Sequence, residues 1–416
     1  MLMAYQISPT KGSEYSVGWN VAVQLAKSHK VYLLCGASGD YMGDTTEIEE
    51  YLRKSPVTNL RLVPVKPPKL AVFVNWFNKR GFSPIFYVAF RIWHLEAYRV
   101  ASRIVAREKI DVVHQLGPIG FREPGYLWKL DLPFVWGPIG GAVFVNPVLC
   151  ENLPIIDRFF FFLKGHINKL QLKYGMRIRT AAKRSVGLFF CSTENAVAFT
   201  RYLGVSGQII PEQGTFSIAE LESDLEKTLS SVRLVWAGRI ARQKNLAFLF
   251  HTLKDLDSST TWQLDLLGEG PQRKSLEKLS NVLGIAGKII WHGKKTRMET
   301  MRIMSASDVH VMTSLFEGNP AVLFEAMSLG IPTISLDVGG MHDVLSNANG
   351  ILIPVTTYAE TSSSYVRALN DLIYNSSKRA AIARRTKATA LTHSWEKKIE
   401  KFDRIYDGAI LEYYKK

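Results

Sequence analysis

Glu317 and Glu325, two carboxylates eight residues apart, carry the strongest chemical signal in this chain of 416 residues. The apolar run 308–313 ahead of them reads as a buried strand. Asn319 suits an N-cap, Pro320 suits the first helical position, and Gly330 with Pro332 ends a helix. Glu317 then lies in the loop before a helix, with Glu325 about two turns inside it. Free backbone N–H groups between the two acids would point at a docking anion. A carboxylate cannot hold phosphate, but it accepts bidentate hydrogen bonds from vicinal hydroxyls on a ribose or a hexose. Acids for hydroxyls beside amides for phosphate describe a nucleotide-sugar site. Singly, each glutamate would pass for a solvated acid favoured by the helix dipole.

Two other loops in the second half share this logic. Gly238 ends a predicted strand and opens a turn bracketed by Arg239 and Lys244, ahead of a helix near Asn245. Two fixed cations there suit a diphosphate, although alone they read as surface charges. Gly268, Glu269 and Gly270 form a glycine turn that lets backbone approach a ligand closely, a weak signal by itself. In the first half, Lys11, Gly12, Ser13 and Glu14 follow the first strand. Gly12 permits a tight turn against a phosphate or sugar, while Glu14 reads equally as a first-turn acid. His114 ends another strand, where a lone histidine is as often structural as ligand-binding. Gly137, Gly140 and Gly141 suit a loop packed against a ligand or the opposite domain.

These loops need a scaffold that repeats strand, turn and helix. Strands are predicted at 2–8, 30–36, 60–65, 111–117, 133–138 and 187–193, with long helices at 83–109 and 157–184. The rhythm breaks at 215–230, read as a linker, then resumes with strands at 233–238, 262–268, 288–293, 308–313 and 332–336. The expected domains are 1–214 on the acceptor side and 231–392 on the donor side. A C-terminal helix in 393–416 would pack back across them. Two doubly wound α/β halves put ligands at the C-terminal ends of strands, facing one interdomain cleft.

A chain of this length exceeds one ordinary core, and 47% hydrophobic content indicates a globular protein. Cys35, Cys150 and Cys191 are far apart without metal-ligand spacing, which points to reduced core thiols in a cytosolic setting. The opening stretch reads as a strand rather than a secretory leader, and its lack of a lead-in leaves room for residues ahead of Met1. No apolar run is long enough to span a bilayer.

The net charge is +15, with 26 Lys+Arg against 14 Asp+Glu in residues 1–210. Residues 158–184 hold eight Lys/Arg and no acid, and open on four consecutive phenylalanines. Such a segment fits a solvated basic helix with core aromatics, or a helix lying on an anionic membrane surface. Nucleic acid is disfavoured, since no recognition-helix, OB-fold or RNP signature accompanies the charge.

Arg239 and Lys244 followed by Glu-x7-Glu in a second α/β half resemble the family-4 retaining glycosyltransferases of the GT-B fold. The resemblance spans essentially the whole chain. Lys11 to Glu14 with Gly18 and Trp19, Phe121 to Gly125, and Trp136 to Gly141 are similar to the bacterial subgroup that builds surface polysaccharides. The resemblance implies that Arg239 and Lys244 bind a donor diphosphate, with Gly12 beside it. Glu325 would hold the ribose. Glu317 would contact the transferred sugar, near the amides of Gly318 and Asn319; Gly238 and Gly268 would complete the donor site. The family's His-x-His becomes His114-Gln115-Leu116 here. Either His114 takes over the sugar contact that the missing second histidine would make, or that contact is absent; His114 is kept as a candidate.

The implied reaction moves a hexosyl unit from a UDP- or GDP-sugar to an acceptor hydroxyl with retained configuration, in exopolysaccharide, capsule or O-antigen synthesis. It uses neither metal nor cofactor. The expected acceptor is lipid-linked or a growing glycan, at the cytoplasmic face of an anionic membrane, with no nucleic-acid partner. A nucleotide-sugar 2-epimerase on the same fold, or a non-catalytic nucleotide-sugar or membrane-binding protein, is the alternative.

Overall fold

A computed structural model describes residues 1–37, 45–80, 85–216, 231–346 and 349–415. Most of the predicted linker, 217–230, and the start of the predicted helix 83–109 lie outside them. The strands are β1 (Leu2–Met3), β2 (Val31–Gly36), β3 (Leu60–Val65), β4 (Val113–Gln115), β5 (Phe134–Ile139), β6 (Gly187–Phe190) and β7 (Gln208–Ile209). They continue with β8 (Val232–Ala237), β9 (Trp262–Leu267), β10 (Ile289–Gly293), β11 (Val309–Met312), β12 (Thr333–Leu336) and β13 (Gly350–Ile353).

The helices begin with α1 (Glu14–Leu25), α2 (Thr46–Lys54), α3 (Lys69–Lys79), α4 (Phe86–Val105), α5 (Ile155–Tyr174), α6 (Met176–Arg184) and α7 (Thr193–Leu203). After them come α8 (Leu246–Lys254), α9 (Arg273–Val282), α10 (Arg297–Ser305), α11 (Ala321–Leu329) and α12 (Met341–Val344). The chain closes with α13 (Tyr358–Tyr374), α14 (Ser376–Thr392) and α15 (Trp395–Lys415).

The chain divides into two compact units. Unit 1 comprises Met1–Ala142, Asn168–Gln213 and Trp395–Lys416; unit 2 comprises Val143–Ile167 and Gly214–Ser394. The sequence places 143–167 in the first domain, whereas its Leu149, Cys150 and Phe161 belong to the core of unit 2. Each unit is built on one parallel sheet, ordered β3-β2-β1-β4-β5-β6-β7 in unit 1 and β10-β9-β8-β11-β12-β13 in unit 2. The order reverses between β1 and β4, and again between β8 and β11. Loops leaving the two central strands diverge at such a point and open a crevice at the strands' C-terminal ends.

In unit 2, Leu234 and Trp236 pack with Leu264, Val309, Ile334 and Leu336 beneath Leu249 of α8 and Tyr365 of α13. Val235 and Ala237 belong to a second cluster with Met304 of α10 and Ala326 of α11. The alternation sends successive residues of β8 to opposite faces, each covered by helices. The predicted helix 157–184 is two helices, because the chain turns out of helical geometry at Gly175. A Cβ there would overlap the carbonyl of Gln171. The predicted strand 187–193 stops at Phe190, because the Ser192 hydroxyl caps α7 by accepting from the Asn195 N–H.

Helix α15 returns to unit 1, where it packs on α1, β5 and β6. Its Ile399, Phe402, Ile405, Tyr406 and Ala409 are buried. The Lys398 ammonium donates to the carbonyls of Pro211 and Gln213. Cys35, Cys150 and Cys191 are buried free thiols. No helix among the described residues is long and apolar enough to cross a membrane.

Phe402 is 1% exposed and lies 4.9 Å from the Phe189 ring and 5.6 Å from that of His114. Phe402→Ala is expected to cost unit 1 about 3 to 5 kcal/mol, measured by urea unfolding. An unchanged midpoint would show that α15 does not complete this core.

Candidate functional site

The loops leaving β8 and β11 are stitched together at the reversal point of the unit 2 sheet. After Gly238, the chain runs through a 3-10 turn (Arg242–Lys244) and a left-handed Asn245, φ 50°, into α8. The Leu315 N–H donates to the Gln243 carbonyl at 2.8 Å, and the Thr313 hydroxyl lies 3.2 Å from the carbonyls of both Lys244 and Asn245. These bonds bring Lys244 to Glu317, and the ammonium pairs with the carboxylate. The Ser314 hydroxyl donates to the same oxygen of Glu317 at 2.7 Å.

Glycines allow the neighbouring loops to come close. Gly268 has φ +141°, and a Cβ on it would overlap the Gly238 carbonyl. A Cβ on Gly270 would meet the Ile240 carbonyl, and one on Gly339 would meet that of Glu317. The Gly340 N–H donates to the Glu317 carbonyl at 3.1 Å, which holds the acid's backbone as well as its side chain. Three predicted loops thus converge with a fourth, after β12, that the sequence does not single out.

Glu325 lies in the second turn of α11, buried to 7% exposure, and accepts from Arg297 Nε at 2.9 Å. The helix begins at Ala321 with Pro320 as its cap, one residue later than predicted. Arg297 is a residue that the sequence does not reveal as a site member. A Thr296/Glu299 capping box marks the start of its helix. Nothing in the spacing ties it to an acid 28 residues on. Its guanidinium also stacks over the Phe216 ring at 4.3 Å. Asn319 is buried, whereas Arg239 is exposed and makes no ion pair among the described residues. Below Lys244, His310 of β11 is pulled down to about 3 by burial and then by the Lys244 charge, so it stays neutral.

Among the described residues the site therefore presents a cation without an ion pair, a cation held by a carboxylate, and a buried acid fixed by a guanidinium. Cations at this crevice can take anionic oxygens, and Glu325 can accept from hydroxyls.

Unit 1 corrects one sequence assignment, that of His114, and shows how the loop before α1 is shaped. The left-handed residue in the loop before α1 is Ser13, φ 59°, and not Gly12. A Cβ on Gly12 would meet no atom within 4 Å, so sterics do not demand glycine there. That loop is instead shaped by the Ser8 hydroxyl, which accepts from the Thr10 and Lys11 N–H groups at 3.1 and 3.0 Å. His114 is 1% exposed and both ring nitrogens are engaged, Nε2 with the Gly137 carbonyl at 2.8 Å and Nδ1 with the Tyr406 hydroxyl at 2.7 Å. A carbonyl only accepts, so the proton is on Nε2 and Nδ1 accepts from tyrosine. No nitrogen remains for a sugar, which removes the expected sugar contact and makes His114 a structural link between β4, β5 and α15. Leu116, at the place of the missing histidine, is buried as well.

Burial pulls the His114 pKa from 6.5 down to about 3. The unfolded chain takes up a proton below about 6.5 that the folded ring refuses until about 3. The stabilising difference is fully present above that window and is lost as the pH falls through it. His114→Asn should be less stable at neutral pH, with a loss between pH 6.5 and 3 shallower by up to about 1.4 kcal/mol per pH unit in urea unfolding. Identical slopes for the two proteins would contradict a buried neutral ring.

Comparison with known proteins meets this geometry. Residues 217–389 match the family "Glycosyl transferases group 1". A stretch of 263 residues is 24% identical to the 2-deoxystreptamine glucosyltransferase of Streptomyces kanamyceticus, covering 59% of this chain and 66% of that enzyme. The lipopolysaccharide core biosynthesis glycosyltransferase LpsD of Rhizobium meliloti (strain 1021) is 29% identical over 131 residues, 32% of this chain and 37% of its own length. The match thus spans between about a third and two thirds of these relatives. The crystal structure of Anabaena Alr3699/HepE in complex with UDP and glucose superposes with a TM-score of 0.60 at 15% identity, covering 97% of this chain and 98% of that one. The chain has the GT-B fold, and its residues 217–389 are similar in sequence to the group 1 glycosyltransferases.

Proposed function

We propose that this protein is a retaining family-4 glycosyltransferase that moves a hexosyl unit from a UDP- or GDP-sugar to an acceptor hydroxyl in cell-surface polysaccharide synthesis. The observation that carries this reading is the Lys244–Glu317 ion pair that joins the loops after β8 and β11, with Arg239 in the first loop and Glu325, held by Arg297, in the helix that follows the second. The lipopolysaccharide role in the name of one relative supports the pathway, and the UDP in the HepE structure supports the donor class. The acceptor in this reading is a lipid-linked or growing glycan, met at the cytoplasmic face of the cell membrane.

Each residue has a distinct task. Glu325, held by Arg297, accepts the ribose hydroxyls. Arg239 and Lys244 hold the diphosphate, with amides of Gly318 and Asn319 near the sugar. Glu317 receives sugar hydroxyls once Lys244 turns to phosphate. The bond from the anomeric carbon to the β-phosphate oxygen breaks, and its electron pair stays on that oxygen. The acceptor oxygen bonds to the anomeric carbon from the same face, and its proton passes to the departing phosphate. Charge developing on the phosphate is met by Arg239 and Lys244, so stabilisation grows as the bond breaks. The reading assigns no step to a metal or cofactor.

Lys244→Ala and Glu325→Ala are each expected to lower kcat/KM for nucleoside diphosphate hexose turnover by about a hundredfold or more, with the thermal midpoint preserved. Full activity in both would overturn the site. A wild-type product that is an isomerised sugar nucleotide, formed without acceptor, would identify an epimerase instead.

A further inference from the structure

Helix α5 presents two faces with different chemistry. At about 100° per residue, the buried Asp157, Phe161, Asn168 and Leu172 fall on one side. On the opposite side, Ile155, Ile156, Phe159, Leu163, Ile167 and Leu170 are between 42% and 73% exposed. Arg158, Lys169 and Lys173 border this apolar strip along one edge, and Lys164 borders it along the other. The sole acid of the helix, Asp157, is buried. Apolar side chains edged by cations and by no acid suit the interface of an anionic bilayer, where acyl chains take the strip and phosphates take the edges. A second copy docking on the same face would bring like charges together.

The inward face touches both loops of the nucleotide-sugar site. Asp157 accepts from Arg242 Nη1 at 2.8 Å, in the loop between Arg239 and Lys244. The Phe161 ring lies 6.1 Å from that of Phe316, the residue before Glu317, and the Lys164 ammonium sits 4.5 Å over the same ring.

We propose that α5 docks on an anionic phospholipid bilayer by its outward face and, by its inward face, holds the two donor loops about one helix diameter, roughly 10 Å, from that surface. The docking half stands on the helix itself. The positioning half rests on the donor reading of Arg239, Lys244 and Glu317. The arrangement favours an acceptor anchored in the bilayer, with its reacting hydroxyl close to the headgroups.

Flotation of the full chain with vesicles of phosphatidylcholine, with and without phosphatidylglycerol, tests the docking. Binding is expected on the anionic vesicles and should weaken with salt. Phe159→Ser/Leu163→Ser and Lys169→Glu/Lys173→Glu should each weaken it by about tenfold or more. Thermal stabilisation by UDP or GDP should stay unchanged in both. Asp157→Asn should float normally but lose part of that nucleotide stabilisation, the signature of a positioning residue. No flotation, or equal flotation of wild type and both double variants, overturns the docking. So does an oligomer that dissociates in Phe159→Ser/Leu163→Ser, or duplex-DNA binding without vesicle binding. A full nucleotide response in Asp157→Asn overturns the positioning. Flotation without any nucleotide response in the wild type overturns the donor reading and leaves the docking face standing.

Discussion

The ion pair between Lys244 and Glu317 is the contact on which the site depends. It joins the loops of two adjacent parallel strands where the sheet order reverses, with both side chains mostly shielded from water at 16% and 14% exposure. At an effective dielectric near 20, unit charges 4 Å apart attract by about 4 kcal/mol, and desolvation offsets much of it. A small net stability makes the pair exchangeable. In the proposed reading, a diphosphate replaces Glu317 as the partner of Lys244 and frees the carboxylate for sugar hydroxyls. The Lys244–Glu317 pair thus holds a charge arrangement that a donor can take over without leaving either group unpaired.

Everything around this pair limits how far it can move. Gly268 and Gly339 pass so near to the Gly238 and Glu317 carbonyls that a side chain would not fit. The Gly340 N–H fixes the Glu317 carbonyl, and Arg297 fixes Glu325. The acids are consequently unlike: one is shared between a lysine and a serine in a loop, the other is buried in a helix against a guanidinium. A loop acid with exchangeable partners suits a changing sugar, and a buried helix acid suits the part of the nucleotide that stays put.

Much of this was legible from local pattern. Apolar runs ending at glycine mark β8, β9 and β10, and the spacing of Glu317 and Glu325 across Asn319 and Pro320 separates loop acid from helix acid. What escaped depends on contacts far apart in sequence. Arg297 reaches Glu325 only because α10 lies beside α11, and His114 is saturated only because α15 brings Tyr406 to it. Residues 143–167 follow unit 2 through Phe161 and Asp157, which a reading by chain order assigns to the first domain. Gly12 permits a tight turn, yet the positive φ of its loop falls on Ser13, and the Thr10 and Lys11 N–H groups that donate to the Ser8 hydroxyl shape that turn. β7 is a two-residue edge strand, too short to leave a periodic signature.

The central claim is that Arg239 and Lys244 form a diphosphate seat. Calorimetric titration of nucleoside diphosphate against the matching monophosphate, in wild type and in Arg239→Ala/Lys244→Ala, tests it most directly. The account predicts a clear preference for the diphosphate in the wild type that disappears in the double variant. An undiminished preference in that variant, or equal affinity for the two nucleotides in the wild type, would contradict it.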